Sequence, residues 1–211
     1  MGMYLIKRAG LPGEKRASIE YNSNMISDMW KQEEKSYMQK LFLAEPGMEL
    51  KEGFLDMVSQ YEHSEDQYYF EVYKAAREDF GKYVGKLRNN AQGIDIGDWV
   101  PTCSYWLTDD GSSVLGVIRI RTSLENEYAR RFAGNIGYDI APPHRGKGLG
   151  TAILRLGLEK AREWKLDRVL ITCSSENYGS RRIIEGNGGV FEGEEFDESE
   201  DTLVRKYWIE L

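Results

Sequence analysis

Hydrophobic positions in the first half of the chain fall mostly at helical spacing. Phe54, Met57, Val58 and Tyr61 share one face and predict a helix from Leu50 to about Tyr61. Phe70, Tyr73, Ala76 or Arg77, Phe80 and Val84 continue the same period and predict one longer helix from Ser64 to about Arg88. Ser64 would be its N-cap, with Gln67 at the capping-box position. Before these, Lys40-Leu41-Phe42-Leu43 reads as a strand closed by Pro46-Gly47. Residues 1–36 are polar and only weakly periodic.

Beyond residue 100 the period shortens to two. Cys103 to Leu107 reads as a strand, and Asp109-Asp110-Gly111-Ser112 as a hairpin turn. On the return strand, Val114, Gly116, Ile118 and Ile120 alternate with Leu115, Val117, Arg119 and Arg121, so one face becomes polar. A polar link, Thr122 to Arg131, leads to a strand at Asn135 to Ile140 that Pro142-Pro143 stops. A glycine-rich loop, a helix from about Gly148 to Lys165 and a continuous apolar strand, Arg168 to Cys173, complete a strand-loop-helix-strand unit with parallel strands and a right-handed crossover. A short helix at Ser180 to Glu185 follows, then a hairpin of Val190 to Phe196 and Thr202 to Glu210. The expected class is α+β: a mixed, mostly antiparallel sheet with helices on both faces and one parallel strand pair.

With 211 residues the chain suits one domain, 37–211, preceded by an N-terminal extension, 1–36. The net charge of −7 argues against nonspecific nucleic-acid binding and favours cationic small molecules at long range. Two cysteines, Cys103 and Cys173, make neither a disulfide framework nor a metal pattern. No run reads as a membrane span or secretory signal, so a cytoplasmic enzyme without a metal is expected.

The chemistry concentrates in Arg145-Gly146-Lys147-Gly148-Leu149-Gly150-Thr151, which joins a strand to a helix. Glycines there let backbone N–H groups converge on a phosphate at a helix N-terminus, and Arg145 and Lys147 add countercharge. The P-loop pattern fails because Gly148 follows Gly146-Lys147. The dinucleotide fingerprint fails because Thr151 stands where its last glycine belongs.

What remains, Arg145, Gly148 and Gly150 in the pattern Arg-x-x-Gly-x-Gly after Ile140-Ala141-Pro142-Pro143-His144, resembles the pyrophosphate motif of the GNAT superfamily of N-acetyltransferases. Asn177-Tyr178-Gly179-Ser180, leading through Arg181-Arg182-Ile183-Ile184-Glu185 to Gly188-Gly189, is similar to that family's Asn-x-x-Ser helix. The ending Lys206-Tyr207-Trp208-Ile209 is similar to that of a bacterial subgroup of presumptive acetyltransferases. The likeness is good over about 100–210, loose over 40–99 and absent over 1–36.

The resemblance implies a splayed parallel pair with acetyl-CoA as cosubstrate. Arg145, Gly146, Lys147, Gly148, Gly150 and Thr151 would hold its diphosphate. Backbone at Tyr138 and Ile140 would hold the pantetheine, and Asn177 and Ser180 would bond the pantetheine arm or the phosphates. An amine of a small molecule, a peptide N-terminus or a lysine would attack the thioester directly in a ternary complex. A homodimer is compatible with this. No base or acid identifies itself: Asp139 and Glu127, with Glu125 beside it, are the carboxylate candidates, and Tyr178 and Tyr207 the phenol candidates. Many family members carry a tyrosine seven residues after the Asn, where this chain has Ile184. That departure keeps an alternative open: a noncatalytic CoA-binding or partner-binding domain of the same fold.

Overall fold

The computed structural model describes Asp28, Gln32, Glu33 and residues 36–211. The structure of the rest of the 1–36 segment lies outside the described residues. Tyr37–Leu211 forms one compact unit.

Its strands are β1 (Phe42–Ala44), β2 (Thr102–Thr108), β3 (Gly116–Arg121), β4 (Ile136–Ile140), β5 (Arg168–Ser174), β6 (Val190–Asp197) and β7 (Thr202–Glu210). They form one seven-stranded sheet in the order β1-β2-β3-β4-β5-β7-β6. Every neighbouring pair is antiparallel except β4 and β5. Its helices are α1 (Lys51–Glu62), α2 (Gln67–Tyr73), α3 (Ala75–Glu78), α4 (Phe80–Ala91), α5 (Leu149–Glu163) and α6 (Tyr178–Gly186).

The alternation on β2 and β3 sorts the core into two layers. Tyr105, Leu107, Ile118 and Ile120 pack with the α5 residues Leu149, Ile153, Leu154 and Leu158. Trp106 and Val117, on the opposite face, pack with Phe54, Tyr61, Tyr73, Phe80 and Val84 of α1–α4. Helices therefore cover both faces, as the pattern predicts.

Three expected boundaries differ. Lys40 ends a helical turn, and β1 starts only at Phe42. The single helix expected over Ser64–Arg88 is broken. Asp79 is extended (φ −150°, ψ 97°), and its side chain accepts from the Lys82 N–H to cap α4. That cap compensates the helical bonds lost at the break. Ser64 is not the N-cap: its Oγ donates to the Tyr61 carbonyl, while Gln67 donates to the Ser64 carbonyl. The polar link also contains a π-helical turn, Ala129–Ala133, ended by Gly134.

Gly134 is where that turn meets β5. Its backbone (φ 65°, ψ −174°) lies in a region that only glycine enters without strain. An added Cβ would sit 2.5 Å from the Leu170 carbonyl oxygen. Gly134→Ala is expected to cost about 3 kcal/mol, read as a lowered urea midpoint. An unchanged midpoint would show that the turn can relax.

Candidate active site

The parallel pair separates almost as soon as it forms. Ile136↔Ile171 is its one register pair. Just before it, Asn135 N–H donates to the Leu170 carbonyl (2.7 Å) and the Asn135 side chain accepts from Leu170 N–H (2.8 Å). The same side chain donates to the Arg121 carbonyl at 3.0 Å, tying β3 to this corner. From Gly137 onward β4 runs beside β3 alone, leaving a wedge between β4 and β5.

The glycine loop lies at the end of β4. Pro142–His144 makes a short 3-10 turn and Arg145 is extended. Gly146 (φ 73°) and Gly148 (φ 76°) then take the left-handed conformation that turns the chain into α5. No group among the described residues accepts from the backbone N–H of any residue from Gly146 to Thr151. These donors lie at the positive end of a 15-residue helix. Gly150 differs from the expected loop residue. It is buried in the first turn of α5, where a Cβ would lie 2.4 Å from Ile183 Cδ1, so it permits close packing of α6.

The two loop cations are turned back onto protein. Arg145 Nε donates to the Ile140 carbonyl (2.8 Å), and its Nη2 pairs with Asp66 (2.7 Å). Lys147 Nζ donates to the Pro143 carbonyl at 2.8 Å. The donors this loop leaves without an acceptor among the described residues are therefore backbone amides rather than these two side chains.

On the α6 side of the wedge, the Tyr138 hydroxyl meets Ser180 Oγ at 3.0 Å, linking β4 to the helix that follows β5. Asn177 Oδ1 accepts from Ser180 N–H (2.9 Å), so Asn177 caps α6 with its carbonyl end. Burial pushes the Tyr138 phenol well above its ordinary pKa. Burial likewise pushes the Cys173 thiol up to about 11, so it stays protonated at neutral pH.

Asp139 points to the other face. Its Oδ2 accepts from Tyr61 (2.7 Å), and its Oδ1 from Tyr73 (2.6 Å) and Arg119 Nη1 (3.0 Å). Arg119 also donates to the Tyr73 hydroxyl. Burial, and then the Asp139 charge, raise the Tyr61 pKa, so Tyr61 stays a donor. Both Asp139 oxygens are thus engaged, and the carboxylate ties α1, α2 and β3 to β4.

The other candidates stand apart from it. Glu127 is exposed and pairs with Arg131 at 3.4 Å; Glu125 is exposed. Tyr178 is 65% exposed at the start of α6. Tyr207 is buried in the α5 layer; its hydroxyl accepts from Arg205 (2.9 Å) and donates to Glu185 (3.3 Å). Sequence patterning missed the assembly around Arg119, Tyr61 and Tyr73. Its signal was present as two arginines on one face of β3 opposite a tyrosine-bearing helical stripe.

Among the described residues no helix is long and apolar enough to cross a membrane. The chain matches the family of the acetyltransferase (GNAT) domain over residues 48–190, more than half its length. It is similar to the mouse (Mus musculus) protein N-acetyltransferase 8B, 24% identical over 139 residues; the match covers 64% of this chain and 60% of that relative. Two solved structures share the fold. A microcin self immunity acetyltransferase, MccE, in complex with acetyl-CoA and AMP, matches at TM-score 0.59 and 14% identity, covering 81% of this chain and 92% of that one. The ribosomal α-N-protein acetyltransferase RimL in complex with coenzyme A matches at TM-score 0.57 and 18% identity, covering 81% and 94%. By its sequence match, and with a sheet that opens at one parallel pair beside a glycine-turned helix N-terminus, the chain belongs to the GNAT acetyltransferase family.

Proposed function

We propose that residues 37–211 are a catalytic domain that moves an acetyl group from acetyl-CoA to a primary amine of a small molecule, a peptide N-terminus or a lysine. The carrying observation is the run of amides from Gly146 to Thr151, without acceptors among the described residues, at the head of α5 beside the wedge between β4 and β5. The diphosphate fits those amides, because oxyanions take the place of the missing helical acceptors. The pantetheine enters the wedge at Ile140 and runs past Tyr138, Asn177 and Ser180, and a backbone N–H of β4 polarises the thioester carbonyl. Acetyl transfer by MccE-like and RimL-like relatives on this fold supports the reading.

In the step itself the amine nitrogen attacks the thioester carbonyl carbon. A C–N bond forms, the C–S bond breaks, and the thiolate takes a proton while the amine loses one. Positioning and the oxyanion contact supply most of the acceleration. The Tyr138–Ser180 hydroxyl pair bridges the wedge and is a proton-donating group on the thiolate's path. Ile184, wholly buried where many relatives carry tyrosine, favours the second reading, a domain that binds CoA without turning it over.

The two readings separate on release of free CoA from acetyl-CoA with a panel of primary amines. Amine-dependent release is expected. Tight CoA binding without release by any amine would favour the second reading, and absence of CoA binding would sink both.

A further inference from the structure

A cavity of about 990 Å³ opens over β2 and β3 on the face covered by α2–α4. Its floor is a block of cross-strand neighbours: Thr102 beside Arg121, Ser104 beside Arg119, and Trp106 beside Val117. Strand pleating puts all six on one face, the face that also carries Asp139 on the adjoining strand.

The floor has an unbalanced charge. Arg119 is matched by Asp139, and that carboxylate is fully engaged with Arg119, Tyr61 and Tyr73. Arg121 is only 8% exposed and has no carboxylate partner among the described residues. Its Nη1 donates to the Gly134 carbonyl (3.1 Å), and its guanidinium lies 5.3 Å over the Trp99 ring, another residue of the cavity wall. Among the described residues its Nε–H has no acceptor, and the indole N–H of the wholly buried Trp106 has none either. The carboxylates that line the cavity, Glu78, Asp79 and Asp95, are exposed, and Asp79 already caps α4. Burial, with Arg119 nearby, pushes the Arg121 pKa down to about 10, the direction expected of a cation lacking a counterion.

A buried cation with a spare donor is costly unless something pairs with it. Arg121 stands two residues along β3 from Arg119, roughly 7 Å at strand rise. The β3–β4 register sets Arg119 beside Gly137 and Arg121 beside Asn135, at the corner from which the wedge opens.

We infer that the acceptor is an amine-bearing carboxylic acid whose carboxylate pairs with Arg121 inside this cavity. The inference rests on the acetyl-transfer reading for its amine but not for its anion. It runs against the net acidity of the chain, because the local floor outweighs the long-range field where a ligand sits against it.

Two measurements test it. In the first, acetyl transfer is compared over matched pairs: glycine, γ-aminobutyrate and alanylalanine, each against its carboxamide. The carboxylate member is expected to have a kcat/KM higher by about tenfold or more, the scale of one charge-assisted hydrogen bond. Arg121→Gln should bring the ratio near one, Arg121→Lys should restore part of it, and neither should change CoA affinity. Carboxamides that are equal or better substrates would overturn the inference.

The second measurement depends on neither turnover nor the folding of a variant. Arginine Nε–H resonances of the native full chain are followed while N-acetylglycine, N-acetyl-γ-aminobutyrate or their amides are added. A shifted Nε–H with the acids and not the amides supports the carboxylate site. If it appears with no acetyl transfer to any amine, the catalytic reading fails and the site stands. If acetyl transfer proceeds while neither acids nor amides shift an Nε–H, the site fails and catalysis stands. Silence in both measurements overturns the inference as well.

Discussion

Replacing Asp139 by alanine is expected to cost about 3–5 kcal/mol, the range for removing one member of a buried ion pair. The melting temperature should fall by roughly 10 °C for a domain of this size. Asp139 is 4% exposed, and its two oxygens accept from two phenols and a guanidinium. Without it, Arg119 keeps its charge and Tyr61 and Tyr73 lose their acceptor inside the α1–α4 layer. Asp139→Asn should cost less, because it keeps one acceptor oxygen. An Asp139→Ala, Arg119→Met double variant should recover part of the loss by removing the stranded cation. A drop below about 1 kcal/mol for Asp139→Ala would mean that solvent readily replaces the carboxylate. If Asp139→Asn folds and its kcat/KM keeps the same dependence on pH, Asp139 is an anchor and not the base.

The second large effect concerns the cofactor. Gly148→Asp is expected to weaken CoA binding by about thirtyfold relative to Gly148→Asn, close to 2 kcal/mol. The comparison is built on matched strain. Gly148 has φ 76°, which both Asn and Asp tolerate better than other side chains, and either Cβ meets Met38 Cε at 3.0 Å. The two differ by one negative charge placed among the amides that would receive the diphosphate. Calorimetric titration with CoA reads the ratio, and thermal melts confirm that both fold. Equal weakening in the two would assign the loss to sterics and remove the loop from the phosphate site.

The sheet, the glycine turn and the terminal hairpin were legible because each is written locally. A period of two, an Asp-Gly turn and glycines just before a helix are signals within a few residues. The break at Asp79 was not legible from periodicity, because it preserves the phase of the stripe. Tyr73, Ala76, Phe80 and Val84 are buried on both sides of it. A capping aspartate three residues before the Lys82 N–H was the only local hint.

The assembly around Asp139 was hidden for a different reason. Tyr61 and Tyr73 lie 78 and 66 positions from Asp139, and each has a sufficient local explanation as part of an apolar helical face. Only the pairing of β3 with β4 and the packing of α1 and α2 bring the four groups together. Arg145 shows the converse: the motif marks it as phosphate countercharge, yet it is engaged with Ile140 and Asp66. A motif records residue type, whereas the direction of a long side chain is decided by what packs around it.

Asn135 gives the sheet a mechanical property. The ladders β1-β2-β3-β4 and β5-β7-β6 are each internally complete, and their backbones join at one corner, which this single amide side chain fastens on both sides. The slot between β4 and β5 is thus bounded by two ladders that each keep their own hydrogen bonds, and α5 packs against strands of both and sets their separation.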